Sequence, residues 1–247
     1  MTLRLNADIG ESYGPWTMGD DAALMPVIDM ANIACGGHAS DPITMRKTVR
    51  LALSHGVTLG AHPSYPDLLG FGRRPMAMPA AEIEAHVLAQ IGALAAIIKA
   101  EGGVLSYVKP HGALYNTMIQ KPEVMEAVMQ AVSRFDGQLQ LMILSTSLIE
   151  QHIERAAAHG ITLIREAFAD RRYTESGELD DRANPGAVYH EWDDIAAQVK
   201  RLATQGEVIA RNGEALKIQA DSLCVHGDNP ASIRTAGAIR TLLEQAA

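Results

Sequence analysis

The stretch Leu141-Met142-Ile143-Leu144 is a short, unbroken apolar run. Such a run is typical of a parallel strand that is buried on both faces of its sheet. Seven short runs, each predicted as a strand, alternate with longer segments of helical spacing: residues 3–7, 29–34, 57–61, 104–108, 139–144, 161–165 and 222–225. This alternation predicts an α/β fold with a parallel sheet, either an open doubly wound sheet or a TIM-like β/α barrel of about seven strands.

Start and stop signals bound the predicted helices. Asp41-Pro42 is an N-cap with proline in the first turn, and Gly56 ends that helix. Ser147 and Glu150 have the spacing of a capping box, in which each side chain accepts a hydrogen bond from the other residue's backbone N–H. Residues 80–100 form the longest predicted helix, and Asn229-Pro230 begins the last one.

Two features indicate how the chain is divided. Asn212-Gly213, between residues 207–211 and 214–219, predicts a β-hairpin that departs from the strand–helix alternation. The sequence has no repeat, low-complexity tract or Gly/Ser-rich linker. We therefore expect a single domain over residues 1–247, a β/α barrel with a small hairpin excursion.

The composition is that of a globular protein with a sizeable core, because hydrophobic residues make up 47% of the chain and charged residues 20%. A formal net charge of −8 argues against nucleic-acid or anionic-membrane partners, which would require a basic face. The sequence shows neither a signal-peptide pattern nor a long uninterrupted apolar run. Cys35 and Cys224 are too few for a disulfide scaffold. We expect a cytoplasmic protein with two buried free thiols.

Polar side chains follow most of the predicted strands. The carboxyl ends of parallel strands meet at one face of a barrel or sheet, so these side chains are expected to converge there. The residues at these positions are Asp8 and Glu11, His38, His62, Lys109 and His111, Glu166, Asp170 and Arg171, and His226 and Asp228. The sequence therefore predicts an active site built from residues that are far apart in the chain.

Two interpretations of part of this set remain open. Asp8, His38 and His62 could supply one carboxylate and two imidazoles to a zinc-like divalent ion. The same residues could instead form a metal-free pocket that hydrogen-bonds a carboxylate and an amide. The ligands would come from three separate loops with no tight motif such as His-Glu-x-x-His, and we favour the metal-free pocket.

Phosphate binding has less support in the sequence. There is no Gly-x-x-x-x-Gly-Lys-[Ser/Thr] loop, so ATP, if it is used, would bind at an unorthodox site or on another chain. The basic, glycine-rich segment Gly70-Phe-Gly-Arg-Arg74 could contact phosphate, or it could be a solvated lid loop.

Seven motifs of the chain resemble, in order, the signatures of the LamB/YcsF family. They are Asn6-Ala-Asp-Ile-Gly-Glu11, Asn32-Ile-Ala-Cys-Gly-Gly-His38, Gly60-Ala-His-Pro-Ser64, Gly70-Phe-Gly-Arg-Arg74, Val108-Lys-Pro-His-Gly-Ala-Leu-Tyr-Asn116, Phe168-Ala-Asp-Arg171 and Cys224-Val-His-Gly-Asp228. The motifs run from the first predicted strand to the last, and the stretch from Lys109 to Tyr115 is highly specific. The chain departs from the family pattern at Ala7, where a cysteine is usual, and at Gly37, where an aromatic residue is usual.

The resemblance implies a fold, a reaction and partners. The fold is a β/α barrel like that of the glycoside hydrolase/deacetylase superfamily. The activity is that of the A-type subunit of an ATP-dependent 5-oxoprolinase, which converts 5-oxo-L-proline, ATP and water to L-glutamate, ADP and phosphate. Two further subunits, of the B and C types, take part, which agrees with the missing phosphate loop.

This reaction suggests a role for each polar residue. Phosphorylation of the amide oxygen would make the ring carbon electrophilic, so the site needs cationic donors and a base that activates water. We expect Lys109 and His111 to stabilise the developing negative charge and Asp8 or Glu11 to act as the base. His38 and His62 would orient water or substrate. Arg171 or Arg74 would hold the substrate carboxylate, and the remaining predicted substrate-binding residues are Glu166, Asp170, His226 and Asp228.

Two other functions fit the same residues. The first is a metal-dependent deacetylase or amidohydrolase that acts alone. The second is a non-catalytic subunit that binds substrate for its partners, although a pure binding protein seldom needs so many titratable groups. Some residues also have structural explanations, for example a pairing of Lys109 with Glu166.

Overall fold

Seven parallel strands close into a barrel in this computed structural model, which describes residues 3–227 and 229–246. The strands are β1 (Arg4–Ile9), β2 (Met30–Ala34), β3 (Thr58–His62), β4 (Leu105–Val108), β5 (Gln140–Leu144), β6 (Leu163–Phe168), β7 (Glu207–Ile209), β8 (Ala215–Lys217) and β9 (Ser222–Val225). All except β7 and β8 belong to the barrel, in the order β1-β2-β3-β4-β5-β6-β9. Because β1 pairs with both β2 and β9, the sheet has no free edge, and the predicted barrel is confirmed.

The helices that follow the strands cover the outside of the barrel. They are α1 (Asp21–Leu24), α2 (Pro42–Ser54), α3 (Ala80–Ala100), α4 (Gly112–Gln120), α5 (Pro122–Phe135), α6 (Ile149–Ala158), α7 (Trp192–Gln205) and α8 (Pro230–Ala246). The predicted N-cap of α2 is confirmed, because the Asp41 carboxylate accepts from the N–H groups of Ile43 and Thr44 at 2.8 and 3.1 Å.

The predicted capping box at the start of α6 is wrong. The helix begins at Ile149, and its N-cap, Leu148, makes no side-chain capping bond. The Ser147 hydroxyl instead donates to the carbonyl of Ser176 at 2.6 Å. A tertiary partner from the long loop after β6 has therefore taken the hydroxyl that the local pattern assigned to the helix.

The predicted hairpin lies between α7 and β9, where β7 and β8 pair in antiparallel fashion. Its connection is longer than the two-residue turn that Asn212-Gly213 suggests. The Ala210 N–H donates to the Glu214 carbonyl at 2.8 Å, and Gly213 has a φ of +89°. The glycine supplies the left-handed conformation that this five-residue connection needs.

Helix α3 is long and apolar enough to cross a membrane by length and composition, with a mean hydropathy of 1.5 over 18 residues. It packs against β3, β4 and α5, and Ile83, Val87 and Ile91 are among its buried residues. A helix that covers a barrel has the same apolar character, so α3 is weak evidence for a membrane partner.

The interior of the barrel changes from apolar to polar along its axis. Met30, Tyr107, Met142 and Ile164 form a small buried cluster that is separate from the main core between strands and helices. Gly60 makes room for this layer, because a Cβ there would lie 2.1 Å from the Tyr107 ring. The Tyr107 hydroxyl points into the polar layer that lies toward the carboxyl ends of the strands.

Candidate active site

A cavity of about 280 Å³ opens at the carboxyl ends of the barrel strands. Most of the residues predicted from the strand ends line it: Asp8, Glu11, His62, Lys109, His111, Arg171 and His226. His38 and Glu166 are buried beside these residues and contact them. The convergence that the strand pattern predicts is therefore present in the structure.

Lys109 lies at the centre of the site and is only 3% exposed. Its Nζ is 2.7 Å from Glu166 Oε1 and 3.2 Å from Asp8 Oδ1. Burial alone would lower the pKa of Lys109, but the Asp8 and Glu166 carboxylates raise it well above its usual value. Burial opposes ionisation of Asp8 as well, yet His62 and Lys109 hold its pKa well below the usual value. The site thus contains a fixed cation between two carboxylates.

A layer of amides and hydroxyls supports this charged group from inside the barrel. Asn32 donates to Asn6 Oδ1 at 2.8 Å and to Asp8 Oδ1 at 2.9 Å, and it accepts from the Tyr107 hydroxyl at 2.7 Å. Asn6 donates to the Ser222 hydroxyl at 2.8 Å. Asn6 and Asn32 were not predicted as site residues, although asparagine within an otherwise apolar strand was a visible signal.

Three histidines and one glutamate form a second, tighter group beside Lys109. One possible ligand atom of each of Glu11, His38, His62 and His111 lies within 4.8 Å of the others. The rings of His38 and His111 stack at 3.7 Å with an interplanar angle of 5°. Burial lowers the pKa of His38 well below its usual value and that of His111 to about 3, so both rings are neutral at pH 7. This group includes Glu11 and His111, whereas the predicted metal set combined Asp8 with His38 and His62.

The segment from Gly70 to Arg74 packs over these histidines. The Phe71 ring makes edge contacts with His38 and His111, each with centroids 5.3 Å apart. Arg73 lines the cavity, but Arg74 turns away from it and pairs with Asp67. Arg73 and Arg74 are exposed, whereas Gly72 is buried, and of the two arginines only Arg73 lines the cavity.

The family model of LamB/YcsF matches residues 3–247. The chain belongs to this family. Among its curated relatives, the A-type subunit of 5-oxoprolinase from Pseudomonas fluorescens (strain Pf0-1) is 52% identical over 243 residues, which cover 98% of this chain and 97% of the relative. The protein of the same name from Vibrio cholerae (strain M66-2) is 49% identical over 244 residues, which cover 99% of this chain and 98% of the relative.

Two solved structures are similar to this chain to different degrees. The lactam utilization protein from Thermus thermophilus superposes with a TM-score of 0.93 at 43% identity, over all of this chain and 97% of that one. The GH113 β-mannanase of Alicyclobacillus acidocaldarius superposes with a TM-score of 0.54 at 11% identity, over all of this chain and 99% of that one. The second likeness concerns the barrel fold alone.

The remaining predicted substrate-binding residues of this LamB/YcsF chain lie in different surroundings. Arg171 is 6% exposed and donates from Nη2 to the Asp180 carbonyl at 2.6 Å. Asp170 and His226, 3.5 Å apart, line a neighbouring cavity of about 320 Å³. Asp228 lies outside the described residues.

Several cavity residues of this LamB/YcsF chain were missed by the sequence reasoning. Arg182 lines both cavities and gave no signal, because it lies in an irregular loop far from any strand end. Tyr115 donates to Glu166 Oε2 at 2.6 Å and lies in a motif that was quoted only for its resemblance. Tyr115 lies in the first turn of the helix that follows β4, and this position could have marked it as a site residue.

The two departures from the family pattern have different surroundings. Ala7 is buried in the main core and does not line the cavity. Gly37 lies against Gln90, whose amide accepts from the Ser64 N–H at 3.0 Å and donates to the Ser64 carbonyl at 2.8 Å. A Cβ at position 37 would lie 2.2 Å from the Gln90 oxygen, so this chain has no room there for an aromatic side chain.

Proposed function

We propose that this chain is the A-type subunit of an ATP-dependent 5-oxoprolinase, which opens the lactam ring of 5-oxo-L-proline to give L-glutamate. The observation that carries the proposal is similarity over nearly the whole chain to proteins named as this subunit of 5-oxoprolinase, at 52% and 49% identity. The polar cavity supports it, because a small, polar, anionic substrate suits a site of this size with several cationic groups at its wall.

The chemistry we propose is activation of a stable amide. Transfer of the γ-phosphoryl group of ATP to the amide oxygen releases ADP and makes the ring carbon electrophilic. One water then adds to that carbon, and the ring C–N bond breaks as the nitrogen takes up a proton, which leaves an acyl phosphate. A second water hydrolyses this acyl phosphate to the glutamate carboxylate and phosphate. The amide oxygen gains negative charge along this path, so a buried cation lowers the barrier.

The geometry suggests how roles are divided within the chain. Lys109, held protonated between two carboxylates, supplies positive charge beside the developing negative charge. Asp8 lines the cavity and keeps a quarter of its side chain exposed, more than Glu11, and we assign it as the base. Arg171, rather than the outward-facing Arg74, is placed to hold the substrate carboxylate.

His111 does not suit the donor role that the reaction suggested. Its Nε2 lies 2.9 Å from the Phe71 carbonyl, which accepts the single hydrogen of the neutral ring. The neutral ring has no second N–H that could donate to an oxyanion while that bond is intact. We therefore assign His111 to the histidine group and not to charge stabilisation.

The relatives are named as one subunit of 5-oxoprolinase, which implies a multi-subunit enzyme, and we propose that the partners are subunits of the B and C types. We place the phosphate-binding loop that this chain's sequence lacks on a partner, with Arg73 as a cation that this chain contributes. The cytoplasmic location stays a prediction.

Reconstitution tests the proposal. Glutamate and ADP should be measured with 5-oxoproline, ATP, this chain and both partner subunits, and with each component omitted in turn. We expect equal amounts of glutamate and ADP only in the complete mixture. Full turnover without this chain would instead make it a dispensable binding subunit.

A second candidate, a metal-dependent amidohydrolase that acts alone, is favoured by the group of three histidines and one glutamate. It predicts hydrolysis of amide or N-acetyl substrates by the isolated chain without ATP. Loss of that hydrolysis on chelation, with recovery on addition of zinc or manganese, would identify this function in place of the first.

A further inference from the structure

Two buried histidines of the site face each other through their ring nitrogens. His62 Nδ1 is 2.6 Å from the Lys109 carbonyl, and His111 Nε2 is 2.9 Å from the Phe71 carbonyl. A carbonyl only accepts, so each of these nitrogens carries a hydrogen. The opposite nitrogens, His62 Nε2 and His111 Nδ1, lie 3.0 Å apart. Either a proton or a metal ion must lie between two nitrogens at that distance, and His62 Nε2 also lies 3.3 Å from Asp8 Oδ1.

Glu11 and His38 complete a set of four donors. Glu11 Oε1 is 3.1 Å from His38 Nε2 and 3.6 Å from His111 Nδ1. Ligand atoms of a tetrahedral zinc site with bonds of about 2.0–2.1 Å are separated by about 3.3 Å. Three of the six distances between donors, at 3.0, 3.1 and 3.6 Å, lie on either side of that value, and all of the donors lie within 4.8 Å of one another.

The surroundings of the histidines hold them in the state that a metal requires. Histidine ligands of metals commonly donate their other ring N–H to a backbone carbonyl, as His62 and His111 do here. The carbonyl that orients His111 belongs to Phe71, a non-glycine residue with a φ of +53°. Such a conformation is costly and is often found at functional sites. His38 differs from His62 and His111, because its Nδ1 is buried without a hydrogen-bond partner among the described residues.

Neighbouring Gly72 allows the loop to approach the rings. A Cβ at this position would lie 2.8 Å from His111 Cδ2 and 2.9 Å from His38 Cβ. The Phe71 ring covers the same two histidines and limits access of water from that side. Glu11, His62 and His111 face the cavity from the other side.

We infer that Glu11, His38, His62 and His111 bind a divalent transition-metal ion of the zinc type at the wall of the cavity. Three imidazoles and one carboxylate match the ligand preference of zinc, whereas magnesium and calcium prefer oxygen. The sequence pattern favoured a metal-free pocket and, for a metal, ligation by Asp8. Asp8 Oδ1 lies 3.3 Å from His62 Nε2, but this oxygen also accepts from Lys109 and Asn32. A metal bound here would polarise a carbonyl or a water molecule in the cavity.

Zinc binding to the isolated full-length chain tests this inference. It needs neither 5-oxoproline, ATP nor the partners, so its result is independent of the proposed function. The chain is stripped with a chelator and dialysed, and zinc is then titrated by calorimetry and counted by elemental analysis. We expect one zinc per chain, with affinity weakened at least about 100-fold in His62→Ala, His111→Ala and Glu11→Gln. His86→Ala, which removes an exposed histidine on α3, and Asp8→Asn should stay within a few-fold of the unsubstituted chain.

Cobalt substitution covers the case in which a ligand variant fails to fold. The unsubstituted chain loaded with Co²⁺ should show the intense visible bands of a four-coordinate ion. Less than about 0.1 zinc per chain with no cobalt bands would overturn the inference and leave a proton shared between His62 and His111. Zinc affinity lost in Asp8→Asn and kept in Glu11→Gln would also overturn it, in favour of the ligand set expected from the sequence.

Discussion

Replacement of Lys109 by methionine should destabilise the fold strongly, because it leaves two buried carboxylates without their cation. Lys109 Nζ is 2.7 Å from Glu166 and 3.2 Å from Asp8, which at an effective dielectric constant of about 20 gives attractions of about 6 and 5 kcal/mol. Desolvation offsets much of this energy, and removal of one partner from a buried pair typically costs about 3–5 kcal/mol. We expect a loss of that size, which corresponds to a fall in Tm of about 6–20 °C.

Urea unfolding at pH 7, followed by circular dichroism, measures this loss. Lys99→Met is the matched control, because Lys99 is exposed on α3 and its replacement should change the free energy of unfolding by less than about 0.5 kcal/mol. The double variant Lys109→Met/Glu166→Gln removes the fully buried carboxylate and should recover about half of the loss. Its amide oxygen can still accept from Tyr115, which donates to Glu166 at 2.6 Å.

Two results would refute this reasoning. A loss below about 1 kcal/mol in Lys109→Met would show that the carboxylates do not depend on the amine. A double variant that is no more stable than Lys109→Met would show that the loss comes from packing and not from uncompensated charge.

Two further predictions concern the partly buried carboxyl group of Asp21 and the cavity residue Arg171. Burial raises the pKa of Asp21 to about 6 from 3.8, so its contribution to stability is fully present below pH 3.8 and is lost as the pH rises through 6. Asp21→Asn should therefore be more stable than the unsubstituted chain by up to about 3 kcal/mol at pH 7, with little difference at pH 4, as measured by urea unfolding. In the reconstituted enzyme, Arg171→Ala should raise the KM for 5-oxoproline about 10- to 100-fold through loss of a charged hydrogen bond, whereas Arg74→Ala should leave it unchanged.

Each of these predictions has an outcome that contradicts it. An Asp21→Asn chain that is less stable than the unsubstituted one at pH 7 would mean that the ionised carboxylate helps the fold. In that case the dominant interaction would be the hydrogen bond that the Gly10 N–H donates to the Asp21 carboxylate at 3.0 Å. Equal KM values for Arg171→Ala and the unsubstituted chain, with folding verified, would remove Arg171 from substrate binding.

The fold could be predicted because each barrel strand is buried on both faces and is read directly from apolar runs such as Leu141 to Leu144. The number of barrel strands followed from this pattern, and the position of the hairpin followed from Asn212-Gly213. The capping box failed for a physical reason. Ser147 has a tertiary partner, Ser176, and no local pattern contains information about a loop that returns from 29 residues further along the chain.

The sequence predicted which residues converge at the site, but not which of them contact one another. Strand ends identified the convergent residues, yet Asp8 and Glu11 lie three positions apart and face different neighbours. Asp8 points to Lys109 in the barrel, whereas Glu11, in the loop after β1, reaches His38 and His111. Side-chain direction after a strand depends on loop conformation, which hydrophobic periodicity does not encode. Arg182 was missed for the same reason.

The central claim is that the cavity of this chain carries out chemistry within the oxoprolinase and does not only bind substrate. The most direct test is glutamate release by the complex reconstituted with Asp8→Asn, after its assembly with both partners has been verified by gel filtration. We predict turnover at least about 100-fold below that of the unsubstituted complex, since Asp8 lines the cavity and is the base that we assign. Turnover within a few-fold of the unsubstituted complex would contradict the account and place the chemistry in the partner subunits.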